Sequence, residues 1–159
     1  MVTNAGAVML SEIINFLNFS ENLACAGLPT KNQLMDIKTA GFRHVINLGL
    51  YDDPVYTLPG EADSLKALGL GYIHIPVLFN HPTRHNFDDF ITVMEANRSE
   101  HIFVHCAMKM RASTFLGLYG IICQNLPHKA AFEPMLKIWQ PNSIWQTFID
   151  TTLGRLTTG

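Results

Sequence analysis

The chain has 159 residues, the size of one ordinary domain, and it reads as a single domain over residues 1–159. Hydrophobic residues make up 48% and charged residues 15%, which excludes a disordered chain and implies a real core. A net charge of −2 without a basic patch argues against nucleic acid as a partner, and no stretch reaches membrane-spanning length, so a membrane partner is not expected either.

In chain order, Leu10, Ile13, Ile14 and Leu17 keep helical spacing and predict an amphipathic first helix packed on the domain. Glu12 and the lack of a basic start argue against a secretion signal. Asn22 to Ala26 is a short candidate strand, broken at Gly27-Leu28-Pro29. Thr30 with Gln33 three residues on forms a capping-box pattern, which starts a helix from about Lys31 to Ala40 that Gly41 stops. His44 to Leu48 reads as a buried strand, Tyr51 to Gly60 as loop, and Glu61 to Leu68 as a short helix. Tyr72 to Val77 is a strand whose Pro76 places it at an edge or marks its end.

Leu78 to His85 reads as loop. Phe87, Phe90, Ile91 and Met94 then mark the buried stripe of a helix of roughly three turns. His101 to His105 is the next strand, and an almost wholly apolar helix follows from Ala112 to Cys123. Two more helices, around Lys129–Ile138 and Asn142–Leu153, are separated by Pro141. Trp139, Trp145, Phe148 and Ile149 are expected to cover the core. Strands alternating with helices predict an α/β fold, with a mostly parallel sheet of about four strands flanked by helices on both faces. Ligands in such folds bind beyond the carboxyl ends of the strands, where the loops after Leu48, Val77 and His105 would gather.

The segment from Val104 to Ser113 concentrates the chemistry. Cys106 stands at a strand end and Arg111 at a helix start. Free N–H groups and the positive end of the helix dipole favour anions there. A thiol so placed is stabilised as thiolate, the reactive form, and an arginine beside it can grip a tetrahedral oxyanion with two parallel hydrogen bonds. Cys25 and Cys123, by contrast, read as small buried hydrophobes. Three widely spaced cysteines suggest neither a disulfide framework nor a zinc ribbon and point to a reducing, cytoplasmic setting. No histidine, cysteine or carboxylate spacing calls for a metal, and no cofactor is expected.

His105-Cys106, four intervening residues, Arg111 and Ser113 resemble the signature loop of cysteine-dependent protein phosphatases. Further blocks extend the likeness over most of the chain. They are Gly27-Leu28-Pro29-Thr30 before a capped helix, Ala40-Gly41-Phe42 into Val45-Ile46-Asn47-Leu48, and Tyr72 through Pro76-Val77. Together they resemble a bacterial family of small protein-tyrosine-phosphatase-like proteins related to the dual-specificity phosphatases, relatives of which are fused to metallo-β-lactamase-type hydrolases. The resemblance implies a hydrolase of phosphate monoesters, acting on a phosphorylated protein, with phosphotyrosine or dual specificity, or on a small phosphate ester. In it, Cys106 would form a phosphocysteine and Arg111 would hold non-bridging oxygens. The backbone N–H groups of Ala107, Met108, Lys109, Met110 and Arg111 would bind the same oxygens. Ser113 would stabilise the thiolate as leaving group, and His105 would tune and orient the cysteine.

The chain also departs from the commoner pattern. Most cysteine phosphatases place five residues between cysteine and arginine, and this loop has four, as in its bacterial relatives. The usual loop glycine is missing, so Lys109 or a neighbour would take left-handed geometry, at a cost of about 1–2 kcal/mol. No aspartate follows the Ile-Pro-Val strand end. The candidate general acid is Asp89, with Asp88 as alternative and His81 and His85 nearby, although first-turn aspartates are also ordinary helix-dipole partners. Two other readings stand beside phosphatase. The short loop suits a rhodanese-like sulfurtransferase with a Cys106 persulfide. The missing acid and glycine suit a phospho-ligand-binding module with little turnover.

Overall fold

The computed structural model describes residues 10–53 and 55–155. Within them a five-stranded sheet has the order β1-β2-β5-β3-β4. The strands are β1 (Leu17–Asn18), β2 (Leu23–Ala26), β3 (His44–Asn47), β4 (Gly71–His74) and β5 (Ile102–His105). The last four form the expected parallel sheet, with β5 between β2 and β3 and β4 at the edge. The fifth strand is an addition: β1 pairs antiparallel with β2, Leu17 opposite Cys25.

Among the described residues the helices are α1 (Lys31–Thr39), α2 (Glu61–Ala67), α3 (Arg84–Ala96), α4 (Met110–Gln124), α5 (His128–Leu136) and α6 (Ser143–Thr152). Side chains alternate along the strands and so split the core into two layers. Ala24, Ala26, Val45 and Phe103 pack on one face with Leu34 and Ile37 of α1 and Leu65 of α2. Leu23, Cys25, Ile46, Ile102 and Val104 pack on the other, against α3 to α6. Helix α4 is buried along most of its length, as its apolar sequence predicts. Trp145 is 0% exposed and anchors a stack with Phe115, Phe148 and Trp139. Among the described residues no helix is long and apolar enough to cross a membrane.

Two expectations are corrected. The predicted first helix does not continue past Leu10: residues 11–15 are turns and Leu17 enters β1, while its earlier part lies outside the described residues. Asn15 takes φ 57, a conformation that ends a helix, and Leu10 and Ile13 are buried from a turn instead. Helix α3 starts at Arg84, inside the predicted loop. Its capping box uses Thr83 with Asn86 where the usual signature has Glu or Gln.

Candidate active site

Strand β5 carries Cys106 out of the middle of the sheet, and α4 begins four residues later. Lys109 caps that helix at φ 79 and ψ −9, the left-handed geometry the missing glycine leaves to it. Cys106, Lys109, Arg111 and Ser113 are all buried. Neighbouring groups tie the carbonyls of the loop. Leu28 N–H donates to Ala107 O at 2.8 Å and Asn15 Nδ2 to Met108 O at 2.9 Å. Ser113 Oγ and Thr114 Oγ1 both donate to Met110 O, at 3.2 and 2.9 Å. In a trans peptide the next N–H points opposite the carbonyl. Fixing the carbonyls of Ala107 and Met108 therefore turns the N–H groups of Met108 and Lys109 the other way. Met110 and Arg111 add N–H groups without intrahelical partners at the start of α4. The exit of β2 presses against this loop so closely that a Cβ on Gly27 would lie 2.5 Å from Ala107 O.

Arg111 reaches across to the loop after β4. Its Nη1 donates to Val77 O at 2.8 Å, and its guanidinium carbon lies 5.9 Å from the centre of the Phe79 ring. Phe79 is itself clamped: Trp139 and Trp145 lie 5.5 and 5.9 Å from its ring, and Trp145 Nε1 donates to its carbonyl at 2.7 Å. Backbone and aromatic contacts thus set the arginine, with no carboxylate partner among them.

On the other side of Cys106 lies a buried polar network that sequence reasoning missed. His105 is 0% exposed; its Nε2 meets Glu61 Oε2 at 2.5 Å and its Nδ1 meets Cys106 O at 3.3 Å. Glu61 opens α2 and is 2% exposed. Its other oxygen accepts from Asn47 Nδ2 at 3.2 Å and Tyr72 OH at 3.3 Å. Asn47 Oδ1 accepts from Gly49 N, and Tyr51 OH joins Tyr72 OH at 2.9 Å. His74 Nε2 meets Gly49 O at 2.6 Å and stacks under Tyr51. Gly49 lies directly on the backbone of Cys106, since a Cβ there would stand 3.7 Å from Cys106 Cα. The sequence signal was faint: a glutamate at a helix start reads as an ordinary dipole partner.

The predicted acids are placed elsewhere. Asp88 pairs with Arg84 at 2.9 Å and Asp89 with His85 at 3.4 Å, all four well exposed on α3. Among the described residues, no hydrogen bond or ion pair joins these side chains or His81 to the Cys106 loop. Asp53, in the loop after β3, lies within electrostatic reach of Arg111. The N–H groups of Tyr56 and Val55 hold its carboxyl below the usual range, and Arg111 adds to the effect. Burial pushes Cys25 up to about 12, so the cysteine on β2 stays a neutral thiol. Burial also pushes Lys109 down. Among the described residues no group of His, Cys, Asp and Glu could hold a metal ion.

Comparison with solved structures gives the relatives of this arrangement. A candidate phosphatase (DUF442) from Shewanella putrefaciens CN-32 shares 26% identity over 93% of this chain and 97% of its own, with a TM-score of 0.84. Tk-PTP in its active form shares the fold at 15% identity, over 89% of this chain and 98% of its own, with a TM-score of 0.74. The core catalytic domain of the PP-IP phosphatase SIW14 from S. cerevisiae shares it at 15% identity, over 87% and 85%, with a TM-score of 0.71. No protein-family model matches the sequence, and neither does any curated protein. Over most of its length the chain is built like the cysteine phosphatases of the protein-tyrosine and dual-specificity type.

Proposed function

We propose that this phosphatase-like chain hydrolyses phosphate monoesters through a phosphocysteine on Cys106. The observation that carries the reading is the Cys106–Arg111 loop, whose carbonyls are bound outward at the start of buried α4. Cys106, as thiolate, attacks phosphorus in line with the ester oxygen. The S–P bond forms as the P–O bond breaks, and the alcohol leaves. Arg111 keeps one N–H on Val77 O and offers its remaining donors to the non-bridging oxygens. The N–H groups of residues 107–111 bind the same oxygens. Water then attacks phosphorus, the S–P bond breaks, and inorganic phosphate leaves. Ser113 assists the departing thiolate if its hydroxyl swings from Met110 O toward sulfur.

The proton for the leaving alcohol has no fixed source in this arrangement. Asp89 and Asp88 reach an ester oxygen only if their surface ion pairs open, and Asp53, held in its charged form, suits Arg111 better than a leaving group. Aryl esters, phosphotyrosine included, need less protonation than alkyl esters and are the substrates this site favours. The test is hydrolysis of p-nitrophenyl phosphate by the parent and by Cys106→Ser. Loss of turnover in the variant is expected. Parent-level turnover would remove Cys106 as nucleophile.

A further inference from the structure

The structure assigns Glu61 as a positioning residue for the nucleophile, acting through His105. The inference rests on the proposed role of Cys106 and deepens it. Glu61 is buried at the start of α2, yet three different strands aim polar groups at it: Asn47 from β3, Tyr72 from β4 and His105 from β5. A carboxylate with no solvent and three donors is held in one orientation, and so is whatever it holds. His105 has an oxygen at each ring nitrogen, Glu61 Oε2 on one side and Cys106 O on the other, so the ring is held from both ends. A buried carboxylate that polarises this ring toward the nucleophile's own carbonyl favours the thiolate. It also sets the peptide plane that turns the Ala107 N–H.

The same carboxylate supports the opposite wall. Asn47, held by Glu61, binds Gly49 N, and Gly49 rests on Cys106. Truncating Glu61 would therefore disturb both the charge beside the thiol and the loop packed on it. The titratable neighbours are few. Tyr72 and, behind it, Tyr51 face the carboxylate, and burial holds the Tyr72 phenol well above its ordinary range. Lys109 and, from β2, Cys25 lie within electrostatic reach of the Cys106 thiol.

The experiment is the rate of Cys106 alkylation by iodoacetamide against pH, followed by mass spectrometry, beside the pH profile of kcat/KM on p-nitrophenyl phosphate. In Glu61→Gln, which keeps the size of the side chain, the alkylation midpoint should move up by roughly one pH unit, about tenfold less thiolate below it. The acidic limb of kcat/KM should move with it. In a His105→Gln background, adding Glu61→Gln should shift the midpoint clearly less than it does in the parent, because only the route through Asn47 and Gly49 is then left. An unchanged midpoint in folded Glu61→Gln, or an equal added shift in the His105→Gln background, overturns the assignment. If Glu61→Gln alone does not fold, Glu61→Asp, whose shorter side chain withdraws the carboxylate from the ring, carries the test. A midpoint above the parent's supports the assignment and a parental midpoint overturns it. Alkylation reads the thiol without any ester being cleaved, so failure of the phosphatase reading and failure of this one are told apart.

Discussion

Two loops flank Cys106, and they are held by opposite kinds of force. The segment after β3 is tied through side-chain hydrogen bonds and charge: Gly49 to Asn47 and His74, Asn47 to Glu61, Tyr51 to Tyr72. The segment after β4 is tied by rings and backbone: Phe79 between Trp139 and Trp145, its carbonyl on the Trp145 indole, Val77 O on Arg111. A polar network in a low-dielectric interior transmits charge, and one lost partner leaves others unsatisfied. An aromatic clamp transmits shape and is blind to protons. Cys106 thus takes its electrostatic setting from one side, and Arg111 takes its position from the other.

The comparison can be broken most severely on the aromatic side. Trp145→Ala removes a wholly buried indole and the donor to Phe79 O, and should cost about 3–5 kcal/mol of stability in denaturant unfolding. A cost near zero would mean the clamp is not what fixes Arg111's neighbours. On the polar side, Tyr72→Phe removes one hydroxyl and its bond to Glu61, and should cost about 1 kcal/mol. Its alkylation profile should stay closer to the parent's than that of Glu61→Gln, since the carboxylate remains.

An effect confined to alkaline pH lies outside both loops. Cys25 has its pKa raised by burial from the ordinary 9.0 to about 12. In the folded chain it stays neutral while the unfolded chain ionises. The stability linked to Cys25 is therefore fully present below pH 9 and declines as pH rises from there toward about 12. Cys25→Ala should flatten that alkaline decline in Tm. A decline as steep as the parent's would place its origin elsewhere.

Most of the architecture was legible because its signals are local. The Thr30–Gln33 capping box, the Gly41 stop and the apolar run of α4 each act within one or two turns, and each forms as expected. What was hidden depends on distance or on unusual residues. β1 is only two residues long, and the tight turn at residues 19–22, where the N–H groups of Phe19 and Ser20 donate to Leu23 O, folds it against β2. The Glu61–His105 pair joins residues 44 apart, and no spacing rule within one element reports such a pair. Within the site, Cys106, Arg111 and the strained Lys109 could be read from the loop itself. Asp88 and Asp89 could not be judged from their order in the chain, because Arg84 and His85, one helical turn back, decide which way they face.

The most direct test of the central claim is the covalent intermediate. The parent protein would be mixed with p-nitrophenyl phosphate, quenched in acid during turnover and digested for mass spectrometry. A peptide carrying Cys106 with the added mass of one phosphoryl group is the predicted result. Steady release of p-nitrophenol with that peptide unmodified at every quench time, and undiminished turnover in Cys106→Ser, would contradict it.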